Sequence, residues 1–233
     1  MRDIKMVFQR HATRKYCAVF LFVFTFLQFG GASPAFSADM QWWEGKNRVQ
    51  VFSELLKEIN AYSTYQCKMK IESYDDGLRE ASQILWYTQP GHMKIKQLGP
   101  FKKGATVKIE SGGRITARLG GLLGILPVNV GPDSSLIKGI TGDSAVLSSY
   151  QAIINKSIER EPGVKEFTIN PAPDKNEIVV VYKMAEPISE YRFTIDTDRR
   201  IIVALERFRG DKLSSKIVWS DVRFGKDVDE SEY

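Results

Sequence analysis

Short segments suited to β-strands dominate this sequence and most constrain its fold. In one of them Tyr65, Cys67, Met69 and Ile71 alternate with polar residues, the period-two pattern of a half-buried strand. Similar apolar-rich segments follow at short intervals, with turn residues between them. The predicted strands are YQCKMKIES, SQILWYTQ, HMKIKQL, ATVKIE, RITARL, EFTIN, NEIVVVYK, EYRFTID, RIIVALERF and SKIVWSDVRF.

Two amphipathic helices accompany these strands. The first follows a possible cap at Asn47, and its apolar face comprises Val51, Phe52, Leu55, Leu56 and Ile59. The second is expected from Ser144 to about Arg160, with Asp143 as a plausible cap and an apolar stripe of Val146, Leu147, Tyr150, Ile153, Ile154 and Ile158. Successive hairpins with two helices on one face predict an α+β fold built on one large antiparallel sheet.

The helices are too small to cover such a sheet. About ten strands of ~18 Å, spaced ~4.8 Å apart, form a face of roughly 860 Å². Two helices of about 15 residues cover only roughly 460 Å². Strong twist would curl the sheet into an incomplete barrel with the helices on its concave face, and its interior is either packed or left with an apolar cavity.

The first 38 residues predict a secretory signal peptide. Five Lys or Arg accompany one acid before Cys17, and an uncharged apolar run of about 14 residues follows. Small residues then supply a cleavage site near Ser37 or Ala38. An uncleaved anchor is the alternative, although a membrane-spanning helix needs about 20 apolar residues. We therefore expect an exported protein that comprises residues 39–233 as a single domain.

Charge and cysteine content argue against nucleic-acid binding and against an internal disulfide. Of the 33 Lys and Arg and the 28 Asp and Glu, the predicted signal holds five and one, so the remainder has a net charge of +1. Its basic residues are interspersed with acids, which argues against nucleic-acid binding. Cys67 is the only cysteine left after cleavage, so no internal disulfide can form.

Catalytic motifs are lacking in the sequence. Cys67 with His92 is the only possible nucleophile and base after cleavage, and Cys67 occupies an apolar position of a predicted strand. There is no cluster with metal-ligand spacing, no P-loop and no dinucleotide fingerprint. We expect that the protein is not an enzyme and binds neither a metal nor a cofactor. A small hydrolase that uses Cys67 is the alternative from another class.

Several motifs, in order along the chain, resemble the outer-membrane lipoprotein carrier (LolA-like) family of the bacterial periplasm. They are the first helix with AYSTYQCKMKI, then ILWYTQPGHMKI, VKIESGGRITARL, YRFTIDTDRRIIVALERF and VRFGKDVDESEY. The resemblance implies an open half-barrel closed by helices, whose interior receives acyl chains. Where the family often has an arginine that steadies the closed lid, this chain has Gln89.

The resemblance also implies which residues face the cavity. By position these are Tyr65, Met69, Leu85, Tyr87, Met93 and Ile95. Methionine suits such a lining, because its unbranched thioether adapts to a flexible chain. Ordinary core packing is the alternative for all six.

The segment from Arg118 to Ser135 is unusually apolar and rich in glycine. Gly120, Gly121 and Gly124 leave its backbone free to move, and its apolar residues include Leu122, Leu123 and Ile125. The resemblance places it at the mouth of the half-barrel. We expect a lip that covers the empty cavity and yields to an acyl chain or touches a membrane, with a buried loop as the alternative.

Together these features predict a monomeric carrier without catalytic activity. Its partners would be the acyl chains of a lipid or lipoprotein, with transient contact to a membrane or an acceptor protein. The expected role is in outer-membrane lipoprotein or lipid trafficking. A sensor that binds a regulatory partner through the same cavity is the alternative on the same fold.

Overall fold

A computed structural model of the protein describes residues 41–121, 124, 126–160, 163–172, 176–184 and 189–228. The predicted signal peptide and the predicted lip residues Leu122, Leu123 and Ile125 lie outside these ranges. The chain divides into two units, Met1–Trp42 and Trp43–Tyr233, and the second contains all the elements named below. Within the described part of the chain, no helix combines the length and the apolar character needed to cross a membrane.

The described residues of the second unit form two α-helices and eleven strands. The helices are α1 (Arg48–Asn60) and α2 (Tyr150–Glu159). The strands before α2 are β1 (Thr64–Ser73), β2 (Arg79–Thr88), β3 (His92–Pro100), β4 (Thr106–Ile109), β5 (Ile115–Arg118) and β6 (Val128–Val130). Those after it are β7 (Val164–Pro171), β8 (Glu177–Met184), β9 (Glu190–Asp196), β10 (Ile201–Arg209) and β11 (Lys212–Phe224). Ten of them correspond to predicted strands, and β6 was not predicted.

All eleven strands form one antiparallel sheet that does not close. Their order is β6-β5-β4-β3-β2-β1-β11-β10-β9-β8-β7, so each strand pairs with its chain neighbour except at the centre, where the first strand meets the last. The expected single large antiparallel sheet of an α+β fold is confirmed, with β6 and β7 at its two edges.

Helix α1 begins where the sequence predicts. Asn47 accepts a hydrogen bond from the Gln50 backbone at 2.9 Å, and the Gln50 side chain accepts one from the Asn47 backbone at 2.9 Å. Val51, Phe52, Leu55 and Ile59 are fully buried, as the apolar stripe requires. The Phe52 ring lies 5.0 Å from that of Phe193 in β9, so α1 packs over the C-terminal half of the sheet.

The second helix begins later than predicted. Residues Ala145–Ser148 form a 3-10 turn, Ser149 is extended, and α2 starts only at Tyr150. Both Ser144 and Ser149 accept backbone hydrogen bonds from residues that follow them, so each serine caps its own short element. Asp143 is therefore not the cap of this helix, and its carboxylate pairs with Arg207 instead.

Candidate functional site

The predicted cavity residues all lie on one face of the first three strands. Tyr65 pairs with Tyr87, which pairs with Met93, while Leu85 pairs with Ile95. Met69 follows on the same face of β1, because alternate residues of a strand share a side. All six side chains are buried, the most exposed being Tyr87 at 9%. The structure brings them together on the inner face, beneath α2 and the segment that precedes it.

Tyr65 and Tyr87 belong to a packed aromatic region. The rings of Tyr65 and Tyr87 stack at 5.0 Å, and the Tyr150 ring of α2 lies 5.3 Å from Tyr65 and 5.6 Å from Trp219. The Tyr150 hydroxyl donates to the Ile202 carbonyl at 3.0 Å, and the Tyr65 hydroxyl accepts from the Tyr150 backbone at 3.0 Å. Burial raises the pKa of both phenols well above the ordinary value. Leu85 and Met93 continue this buried surface across β2 and β3.

Met69 and Ile95 instead line a small cavity beside the aromatic region. The cavity measures about 50 Å³, far below the several hundred cubic ångströms of a typical ligand pocket. An acyl chain would therefore enter only if the cavity widened. Its apolar lining is Met69, Ile71, Ile95, Ala105, Val107, Leu136, Ile137, Ala145, Leu147, Ile153 and Ile217.

The outer wall of this cavity is an irregular segment, residues 132–149, which we call the strap. It contains the 3-10 turns Ser135–Ile137 and Ala145–Ser148 and no α-helix. Lys102, between β3 and β4, donates to the carbonyls of Ser135, Leu136 and Lys138 at 2.8, 3.1 and 2.9 Å. One ammonium group thus uses its three donors on three strap carbonyls.

Two arginines hold the rest of the strap. Arg79 in β2 donates to the Ile140 carbonyl at 3.1 Å, and Arg207 in β10 pairs with Asp143. Burial alone would raise the pKa of the Asp143 carboxyl, but Arg207 and the Thr141 hydroxyl outweigh it and lower the pKa. The strap is therefore held by polar contacts from Lys102, Arg79 and Arg207 and by apolar contacts in the cavity.

A row of polar side chains also crosses the inner face. Gln97 donates to the Gln83 side-chain oxygen at 2.7 Å, and Gln83 donates to the Met69 sulfur at 3.2 Å. Gln83 and Gln97 line the cavity, and sequence analysis did not identify them. The available signal was strand phase, because each stands two residues from a predicted inward residue, Leu85 or Ile95.

Gln89 stands where the LolA-like family often has an arginine that steadies the lid, but it makes different contacts. Its side-chain amide donates to the backbone carbonyls of Asn60 and Tyr62 at 3.3 and 3.1 Å. These bonds join the β2–β3 turn to the end of α1. The cover of the cavity is bonded by Lys102, Arg79 and Arg207 instead.

The proposed Cys67 and His92 dyad does not form. Cys67 is on the inner face and 1% exposed, and burial raises the pKa of its thiol. His92 directly precedes Met93, which faces inward, so the His92 side chain points to the opposite face of the sheet. Within the described ranges, no three His, Cys, Asp or Glu side chains come together as a metal site would require.

Replacing the thiol tests its role. We expect Cys67→Ala to keep its biological activity and to lower the free energy of unfolding by about 1 kcal/mol, because a small buried side chain loses little volume. Complementation in the host measures the activity, and thermal unfolding measures the stability. A Cys67→Ala protein that folds normally but loses biological activity would restore the hydrolase alternative.

Comparison with known proteins finds matches among solved structures only. No protein-family model matches the chain, and no curated protein matches it. Among solved structures, an uncharacterized conserved protein from Thermus thermophilus matches with a TM-score of 0.49 and 10% identity, over 77% of this chain and 90% of that one. MucB matches with a TM-score of 0.49 and 12% identity, over 81% of this chain and 62% of that one.

A third similar structure is a putative outer membrane lipoprotein-sorting protein domain from Vibrio parahaemolyticus. Its TM-score is 0.42 at 11% identity, over 79% of this chain and 94% of that one. All three matches have TM-scores below 0.5 and identities near one tenth, so they do not bear on the function of this chain.

Proposed function

We propose that this chain is a periplasmic binding protein without catalytic activity, exported with residues 1–38 removed. It holds the acyl chains of a lipid or lipoprotein between its sheet and its strap and takes part in lipid or lipoprotein trafficking. The observation that carries this proposal is the cavity itself, a mainly apolar space between a regular sheet face and an irregular cover.

The way the strap is attached supports a cover that opens. Its bonds from Lys102 and Arg79 are exposed or partly buried, so water can replace them. Local opening in proteins favours segments with few buried contacts and exposed backbone bonds. If the strap lifts, the apolar lining of the cavity becomes a groove that an acyl chain can fill, and the hydrophobic effect then favours binding.

Exposed apolar residues near the edge strand β6 support contact with a membrane or an acceptor protein. Leu126 is 74% exposed, Val128 50% and Leu119 40%. They flank the predicted lip residues Leu122, Leu123 and Ile125, for which membrane or ligand contact remains our proposal. Clustered apolar exposure of this kind marks interaction surfaces in soluble proteins.

A charged residue in the strap tests the proposal. Leu147 is half-buried in the second 3-10 turn and lines the cavity, so Leu147→Glu should leave folding largely intact and place a charge where the acyl chain lies. We expect wild-type protein to bind an uncharged fluorescent acyl probe saturably, and the variant to bind it at least tenfold more weakly. Fluorescence titration measures both affinities.

Leu98→Glu is the matched control, because Leu98 is 37% exposed and adjacent to the inward-facing Gln97 of β3, so it points to the outer face. It should bind the probe as the wild type does. Absence of saturable binding by the wild type, or an equal loss in both variants, would show that the interior is an ordinary core.

A further inference from the structure

The inner face of the sheet changes from apolar to polar at one end. Across five adjacent strands one row of paired residues is wholly apolar: Ile71, Ile217, Leu205, Phe193 and Val180. The next row on the same face is Ser73, Ser215, Arg207, Tyr191 and Tyr182. A face with this change suits a molecule that has an apolar part and a polar end.

This polar end borders a recess of about 240 Å³, several times the ~30 Å³ that a water molecule occupies in the liquid. The sheet, the strap and Arg160 at the end of α2 line it. Its lining is almost entirely polar and comprises Ser73, Asp75, Thr141, Asp143, Arg160, Tyr191, Arg207, Arg209, Ser214 and Ser215. Thr141, Asp143 and Arg207 also line the apolar cavity, so the two spaces are neighbours.

Positive charge predominates around the recess. Its lining holds three arginines and two aspartates, and Lys156 adds a cation in an adjoining space that Arg160 and Arg207 share. Asp75 pairs with Arg209 at 3.3 Å, and Asp143 pairs with Arg207. Burial, and then repulsion from Arg160, lowers the pKa of the Lys156 ammonium.

Arg160 has only neutral partners among the described residues. Its guanidinium lies 4.5 Å above the Tyr191 ring and donates to the Tyr182 hydroxyl at 3.4 Å. Arg207 also retains donor capacity, because its Nε is buried and has no hydrogen-bond partner within the described part of the chain. Buried donors are rarely left unpaired, and arginine donors suit phosphate and carboxylate oxygens.

We infer that this recess binds the anionic headgroup, a phosphate or a carboxylate, of the amphiphile whose acyl chain occupies the apolar cavity. Arg160 and Arg207 supply the donors, and Lys156 and Arg209 supply further positive charge. The inference rests on the proposed function, which it deepens by naming the class of ligand.

Asp143 competes with such a headgroup for Arg207. An anion held by the free Nε of Arg207 repels the Asp143 carboxylate on Nη1 of the same guanidinium, and one attachment of the strap to the sheet is weakened. Headgroup binding and opening of the cavity therefore favour each other. Asp143→Asn should consequently strengthen binding of an anionic amphiphile, whereas Arg160→Gln should weaken it.

Two amphiphiles that differ only in a phosphate test the inference. Decanoyl glycerol and decanoyl glycerol phosphate are titrated calorimetrically below their micelle-forming concentrations, with inorganic phosphate in a third series. We expect the wild type to bind the phosphate-bearing compound about tenfold more tightly, as one charge-assisted hydrogen bond allows. The difference should shrink at high salt, because the recess is partly open to solvent.

The variants locate the site. Arg160→Gln should remove the preference for phosphate without changing the affinity for decanoyl glycerol, and Asp143→Asn should increase the preference several-fold. Arg114→Gln is the control, since Arg114 is exposed in the β4–β5 turn and pairs with Glu110 at 3.7 Å. Should Arg160→Gln fold poorly, the wild-type preference and the Asp143→Asn effect still decide the matter.

Three results of the wild-type titrations would contradict the headgroup site, acyl binding, or both. Equal binding of both amphiphiles by the wild type would overturn the headgroup site and leave the proposed function standing. Inorganic phosphate bound as tightly as the phosphate-bearing amphiphile, with decanoyl glycerol unbound, would show a site for free anions and refute acyl binding. If the wild type bound none of the three compounds, both proposals would fail.

Discussion

Ile154→Asp is expected to leave the protein without a stable folded state. Ile154 is 1% exposed on α2, the helix that packs against α1 and, through Tyr150, against the central strands β1 and β11. A carboxylate at this position would lose its hydration without gaining a partner, which costs several kcal/mol. Since a domain of this kind is stable by only about 5–15 kcal/mol, such a loss is a large part of the total.

Circular dichroism during heating measures this effect. The Ile154→Asp protein should show no cooperative transition, or one lowered by more than about 10 °C. Asn155→Asp is the matched control, because Asn155 is the next residue of the same helix and is exposed. Its stability should change by no more than about 0.5 kcal/mol. Similar melting curves for the two variants would mean that α2 does not hold the fold together.

The strands were predictable because their signal is local. Alternation on β1 identified Tyr65, Cys67, Met69 and Ile71 as one face, and the structure buries all four. Strand β6 escaped prediction because Val128–Val130 is only three residues long and follows Pro127 in a stretch rich in glycine. The pairing of β1 with β11 joins residues more than a hundred positions apart, and no local pattern encodes it.

The candidate site also has a part that the sequence predicts, the sheet face, and a part that it does not, the strap. Alternation identified one face of β1, and the resemblance supplied the inward residues of β2 and β3, so Met69 and Ile95 of the cavity were both named from the sequence. The strap could not be predicted, because its course depends on contacts between distant residues. Lys102 bonds carbonyls 33 to 36 positions away, and Arg207 pairs with Asp143 across 64 positions. The sequence of the strap has no period that would reveal such contacts.

Lys102→Met is expected to destabilise the closed strap. Methionine has a similar length but no donor, so three bonds to the carbonyls of Ser135, Leu136 and Lys138 are lost together. Lys102 has a φ of 48°, a conformation that costs methionine about as much as lysine, so the exchange leaves backbone strain unchanged. The freed carbonyls can turn to water, and we expect a loss of about 2 kcal/mol in the stability of the closed strap.

That loss should increase the population of the open strap about thirtyfold. Hydrogen exchange followed by mass spectrometry measures it directly: peptides from residues 132–149 should exchange faster, while peptides from α1 keep their wild-type rates. Binding of the uncharged acyl probe should become faster in the same variant, because the cavity is open more often. Lys103→Met is the control, since Lys103 is the exposed neighbour of Lys102 and donates no bond to the strap in the described structure. If Lys102→Met and Lys103→Met gave the same exchange rates in the strap, apolar packing alone would hold it closed, and entry of an acyl chain would need another route.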